Sequence, residues 1–242
     1  MNVIQQSSFK AKIMMVIIAL LLTSTVVSFV SASYFIKKQF SESESNRIES
    51  QLILVSKIVE EKFTSNLLLA KTLELTLSNL GEVLHKTGFH SITKVMYGYL
   101  FTPDNKVKYT PNKPTPNLEY TKETQQPFLD IEAKAKGKEI FVSDVYYEDS
   151  KPLISIARAS EQASRGTDIF IVDMTSITES LEAIQTEGSF LELVDDLGNI
   201  IYSDKTSEDV TQLKKVINVA GKEWHVIGYI DNQYMKDNTA QL

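Results

Sequence analysis

Asp173 closes the apolar run Ile169-Phe170-Ile171-Val172, so its carboxylate sits at the end of what reads as a buried strand and needs a partner there. Two roles fit. It can cap a helix starting near Thr175, which Asp does well, or it can stand in a binding site as a group awaiting a counter-charge. Tyr146 lies in a strand-like run expected to line the same pocket, where its hydroxyl serves either a ligand or the edge of the core. Lys122, Phe128 and Arg158 are further candidates. If Lys122 and Arg158 face the same cavity, a carboxylate ligand becomes the better match and Asp173 reverts to capping. No constellation for catalysis stands beside them. The chain has no Gly-rich phosphate loop, no G-x-S-x-G elbow and no H-E-x-x-H, so it does not read as an enzyme. Asp195-Asp196 before Gly198 is explained by turn formation. Cysteine is absent, which excludes disulfides, thiolate metal sites and a thiol nucleophile. His85, His90 and His225 are too scattered to suggest a metal site, and no cofactor is read.

The elements that must position these residues begin with a membrane segment. Residues 13–36, between Lys12 and Lys37, carry no charge, and as a helix they span about 36 Å, enough to cross a bilayer core. The alternative, a cleaved signal peptide, has a shorter apolar core, although Val30-Ser31-Ala32 would pass as a cleavage site. Lysines flank both ends, so the charge asymmetry is weak. A short basic tail nevertheless stays inside while a long domain translocates, which puts residues 1–12 in the cytoplasm. The expected place is a bacterial inner membrane, single-pass, with the main domain in the periplasm or outside the cell. A net charge of −6 argues against a nucleic-acid partner.

Residues 37–87 lack proline, and their one glycine is Gly81. Ile48, Leu52, Val55, Val59 and Phe63, then Ala70, Leu73, Leu77, Leu80 and Leu84, keep the three-and-four spacing of a long amphipathic helix. This stalk packs on its own domain or pairs in parallel with a second copy along a seam at Ile48, Leu52, Val55 and Val59, and a homodimer is expected. Strand texture follows. Residues 95–100 and 106–110 read as a hairpin turning at Pro103-Asp104-Asn105, 111–117 as a proline loop, and 128–136 as a helix. Residues 139–147, 152–159 and 168–174 read as strands, 175–185 as a helix capped by Thr175, and 189–194 with 199–203 as a hairpin. Residues 207–213 read as helical, and 215–219 with 223–230 as a last strand pair. The class is α+β: an N-terminal transmembrane helix, a long stalk helix, then two antiparallel-sheet modules, at 88–186 (membrane-distal, larger) and 187–231 (membrane-proximal, smaller).

Several of these segments together resemble the double Cache sensor domain, a tandem PAS-like fold found outside the membrane in bacterial chemoreceptors, sensor histidine kinases and diguanylate cyclases. The resemblance rests on the membrane helix running into a stalk and on Val142-Ser143-Asp144-Val145-Tyr146 followed by residues 152–159. It also rests on Ile171-Val172-Asp173-Met174 leading through a helix to residues 190–202, and on Gly221-Lys222-Glu223-Trp224-His225-Val226. It implies a sensor that binds a small molecule, amine or carboxylate, and relays the signal along its helices. Tyr146 and Asp173 match ligand-contacting positions, with Asp173 meeting an ammonium group. The family's Arg-x-Trp-Tyr motif is missing: the region around Lys122 and Phe128 holds neither Arg nor Trp, which tells against an amino acid held by the usual arginine. A second membrane helix and an output domain follow in that family, so residues 232–242 read as a tail or as the start of a link to them. The rival reading is a ligand-free module of the same fold that acts through a partner protein or dimer contacts.

Overall fold

A computed structural model describes residues 2–105, 107–109, 113–117, 120–160, 162 and 164–240. Its first helix, α1 (Asn2–Thr72), runs unbroken for 71 residues, because nothing in it removes a backbone donor or frees a backbone torsion. From Phe9 onward its first part is strongly apolar, with an 18-residue window of mean hydropathy 2.6 and none of that window buried. Among the described residues it is the one helix long and apolar enough to cross a membrane.

Beyond the apolar part, α1 becomes the spine of the fold. Ile48, Leu52, Val55, Val59 and Phe63 are buried and form one stripe of the helix surface. That stripe packs on β11 (Val210–Val219) and β12 (Lys222–Asp231) of the same chain. The approach is closest at Gly228, where a Cβ would lie 2.4 Å from Ile48 Cγ2. The seam expected for a second copy is therefore consumed within the monomer, because apolar side chains spaced by three and four serve either partner equally. Since the chain has no cysteine of its own, single cysteines report this directly. A cysteine at position 53 or 54, where Ile53 and Leu54 are exposed, should react rapidly with a water-soluble maleimide in the folded protein. One at position 55 or 59 should react orders of magnitude more slowly. Equal rates would mean that the helix does not lie on the sheet.

The expected stalk through residue 87 ends early. After Thr72 the chain breaks into a connector, and α2 (Leu80–Thr87) is a separate helix closed by Gly88 at φ 71°. No glycine or proline marks the break. Asn79 builds it instead, its Oδ1 accepting from Thr76 N at 2.8 Å and its Nδ2 donating to Glu74 O at 3.0 Å.

The distal module has β1 (Ser91–Met96), β2 (Tyr99–Phe101), β3 (Val107–Tyr109), β4 (Pro114–Pro116), α3 (Lys122–Ala135), β5 (Phe141–Val142), β6 (Tyr146–Glu148), β7 (Lys151–Ala159), β8 (Thr167–Asp173) and α4 (Thr175–Ala183). Its main sheet runs β2-β1-β8-β7-β5, with β6 also on β7, all antiparallel. The proximal module orders β9 (Ser189–Val194), β10 (Ile200–Ser203), β11 and β12 as β10-β9-β12-β11, and α5 (Asn232–Ala240) follows. The α+β class and the two-sheet plan are as expected, and several local readings change. The hairpin turns inside the first apolar run, at Tyr97-Gly98, both with positive φ, rather than at residues 103–105. Part of the expected proline loop is β4, paired with β3, while Lys106 and residues 110–112 lie outside the described residues. α3 starts at Lys122, six residues before the expected helix, because Thr121 Oγ1 accepts from Thr124 N and caps it there. Residues 139–147 split into β5 and β6, and Val210–Leu213 is strand, not helix, held by a ten-residue ladder to β12.

The modules touch beside β6. Tyr147 Oη donates to Ile200 O at 2.7 Å, and Lys222 pairs with Asp144 and lies 3.8 Å from Asp196. On α1, Gln51 Nε2 donates to Ile184 O at 2.8 Å, tying the helix to the chain between the modules.

Candidate ligand-binding site

Side chains alternate across a strand, so the distal sheet has two faces with separate populations. One face packs on α1 and carries Ile92, Ile154, Ile156, Phe170 and Val172. The register places the other set in rows: Tyr146, Leu153 and Asp173; then Ser155, Ile171 and Ser91; then Ala157, Ile169 and Thr93. α3 covers part of this second face, with Phe128, Leu129 and Ile131 packed on Val95, Leu100, Ala157 and Ile169.

The polar groups of the covered face form a diagonal band. Tyr146 Oη and Ser155 Oγ lie 3.0 Å apart, and Ser155 is fully buried. Burial pushes the Tyr146 phenol up, against the hydrogen bond with Ser155 and with the Glu148 charge adding to the rise. Thr93 is 2% exposed, and its Oγ1 has no hydrogen-bond partner among the described residues. An orphaned buried hydroxyl costs about 1–3 kcal/mol unless water or a ligand meets it, a condition Thr93 shares with Gln51 Oε1, Thr175 Oγ1 and Trp224 Nε1. At the rim, Asp173 Oδ1 accepts from Thr175 N at 2.7 Å in the turn that leads into α4, whose N-cap is Met174 and not the expected Thr175. Its Oδ2 lies 3.9 Å from His90 Nδ1 and 4.0 Å from Lys151 Nζ.

Partial burial would raise the Asp173 carboxyl. The hydrogen bonds from Thr175, helped by the charges of Lys151 and His90, outweigh that and hold it below the ordinary range. A carboxyl depressed on folding contributes stability that is present above its unfolded value of about 3.9 and is lost as pH falls through the folded value. Asp173→Asn should therefore flatten part of the acid limb of a stability–pH curve below about pH 4, while leaving neutral stability within about 1 kcal/mol because the Asn amide oxygen can still accept from Thr175 N. An unaltered acid limb would contradict the contacts described.

Two of the five candidates go elsewhere. Arg158 is on the α1 side of the sheet, where its guanidinium donates to Lys71 O at 2.5 Å, to Leu73 O, and to Asp168 Oδ2 at 2.8 Å. Lys122 is exposed at the first position of α3. They share no cavity with Asp173, so the condition that favoured a carboxylate on this face is not met. Phe128 lies on the covered face as a packing residue, and Tyr146 and Asp173 share its end row. Sequence reasoning missed Thr93, Ser155, His90 and Lys151. For Ser155 the available signal was a hydroxyl between two isoleucines in a mostly apolar strand, whereas Thr93 stands beside Ser91 and Lys94 and carried no such signal.

No family model and no curated protein sequence matches the chain. Solved structures do. The sensory domain of the Campylobacter jejuni chemoreceptor Tlp3 (CcmL) superposes with a TM-score of 0.57 at 13% identity, covering 84% of this chain and 99% of that one. The ligand-binding domain of the Pseudomonas aeruginosa PAO1 amino acid chemoreceptor PctC, solved with GABA, gives 0.51 at 13% identity over 77% of this chain and 99% of its own. That of Mlp24, solved with asparagine, gives 0.52 at 14% over 83% and 99%. The chain has the fold of a chemoreceptor sensory domain. The resemblance to double Cache sensors is thus borne out as a fold. Within this sensory-domain fold, Asp195 does turn work only, accepting from Leu197 N, Asn199 N and Asn199 Nδ2 at 2.7–2.9 Å. The Tyr146–Ser155–Thr93 band lies on the sheet face turned away from the long helix.

Proposed function

We propose that this chain is the extracytoplasmic sensory part of a membrane signal transducer and binds a small polar molecule against the α3 side of the distal sheet. The observation that carries the reading is the buried Thr93 hydroxyl, without a partner among the described residues, set on the same face as Ser155, Tyr146 and the rim carboxylate of Asp173. Its setting supports it, since neighbours of the same fold were solved with isoleucine, GABA or asparagine bound. Tyr146, Ser155 and Thr93 offer hydroxyls, while Asp173 Oδ2 offers a negative charge at the rim. A ligand with an uncharged polar end and an amine suits them better than one that needs an arginine for its carboxylate.

Relay to the membrane follows from adjacency along the strands. On β6, Tyr146 faces the band and its neighbour Tyr147 holds the proximal module at Ile200. On β1, Thr93 precedes Lys94, whose ammonium donates to Leu75 O beyond the end of α1. A homodimer belongs to the same proposal, through the membrane helix and outward residues such as Ile53, Leu54 and Leu68 rather than the buried seam.

The test is thermal stability of the full chain in detergent across a metabolite panel, since a ligand that binds only the folded state raises apparent stability. A saturable rise with one chemical class supports the sensor. A flat response throughout favours the ligand-free module, for which the direct packing of Phe128 and Ile131 on the sheet is the supporting observation.

A further inference from the structure

On the α1 side of the same sheet, between the connector after Thr72 and strands β1, β7 and β8, lies a cavity of about 550 Å³. That is the size of a small-molecule site. Two cations form its wall and share one carboxylate. Lys94, 6% exposed on its side chain, lies 2.5 Å from Asp168 Oδ1, and Arg158 lies 2.8 Å from Asp168 Oδ2. The cluster is thus one positive charge in excess, only partly offset by the carbonyl oxygens of Lys71, Leu73 and Leu75 that also accept from it. Buried charge is normally matched. Among the described residues the two cations also keep donors in reserve: Lys94 uses two of its three N–H groups and Arg158 three of its five. Arg165 lines the cavity and adds a positive charge, Glu74 adds a negative one, and Ser160 and Ser164 bring hydroxyls. The balance over the whole lining remains one positive charge.

We propose that this cavity is a second ligand site, on the opposite face from the Thr93 band, and that it takes a small monocarboxylate. The oxygens of such a ligand fill the spare donors of Lys94 and Arg158, and its single charge matches the excess. Because Arg158 also holds Lys71 O and Leu73 O, occupancy is felt directly at the end of α1. The site does not depend on the Thr93 face, so either can fail without the other.

The experiment uses the full chain in detergent, titrated at constant ionic strength with sodium acetate and, in parallel, with methylammonium chloride, while its melting temperature is followed. Wild type should show a saturable rise with acetate, half-complete on the order of 1 mM, and none with methylammonium. Lys94→Met, which removes the excess charge, should abolish the rise. Arg165→Ala, changing a residue with an exposed side chain, should shift the midpoint upward several-fold without affecting folding. Thr93→Val should leave the rise intact. No saturable response in wild type, or the same response in Lys94→Met and Arg165→Ala as in wild type, would overturn the proposal. So would a response lost in Thr93→Val and kept in Lys94→Met, which would assign acetate to the other face.

Discussion

Replacing Asp168 with alanine is expected to destabilise the folded chain by about 3–5 kcal/mol, the scale for removing one partner of a buried charge pair. Its two oxygens are divided between Lys94 Nζ at 2.5 Å and Arg158 Nη2 at 2.8 Å, and the Asp168 side chain is 9% exposed. Without the carboxylate, two cations face each other at the cavity wall, and Lys94, 6% exposed on its side chain, is left without a counter-charge. Their hold on the carbonyls of Lys71, Leu73 and Leu75 weakens at the same time, so the end of α1 comes away from the sheet. Urea unfolding of the full chain in detergent measures the loss. Lys94→Met combined with Asp168→Leu should recover much of it, since the cost lies in an uncompensated charge and not in the absence of a salt bridge. A loss below about 1 kcal/mol, the value of a surface ion pair, would mean that water reaches the cluster freely.

The second large effect is expected at Trp224, where alanine should cost about 3–5 kcal/mol, or roughly 10 °C in melting temperature for a domain of this size. The indole is 1% exposed and meets Phe63 of α1 edge-on, with ring centroids 5.2 Å apart. It joins the long helix to the proximal sheet. Its Nε1 is buried without a partner among the described residues, which works against the burial term. Trp224→Phe should therefore cost less than half as much as Trp224→Ala, because it restores an aromatic ring and removes the orphaned donor. Equal losses for Phe and Ala would show that the indole nitrogen has a partner after all.

The helix stripe from Ile48 to Phe63 was plain in the sequence, and so was the order of sheet modules behind it. What covers the stripe was not, because a sheet of the same chain and a second copy impose the same spacing. The end of α1 at Thr72 was hidden for a different reason. It is set locally by Asn79, an ordinary residue in a helix until its amide bonds are seen, and by Arg158 and Lys94, which are distant in sequence from the carbonyls they hold. Val210–Leu213 follows the polar Ser207-Glu208-Asp209, which read as a helix start, and its ladder with β12 makes it extended. On the functional side, Asp173 and Tyr146 stood out because a carboxylate or a phenol beside an apolar run needs an explanation. Thr93 and Ser155 did not, since a small hydroxyl in a strand is ordinary until its burial and its partners are known. Arg158 was grouped with Asp173 although its strand showed that the two lie on opposite faces. In Ile154-Ser155-Ile156-Ala157-Arg158 the two-residue period puts the arginine with the isoleucines, on the face opposite Ser155.

The most direct measurement of the ligand-binding claim is the metabolite stability panel run side by side on wild type and Thr93→Val. A hydroxyl kept for a ligand is a cost to the empty protein, so the valine variant should be more stable than wild type without ligand, by about 1 kcal/mol. It should also respond at least tenfold more weakly to an amine-bearing compound that stabilises wild type, a loss of about 1.4 kcal/mol in binding, while any response to a monocarboxylate stays unchanged. A panel that affects wild type and Thr93→Val identically, compound by compound, would contradict the placement of a ligand on this face.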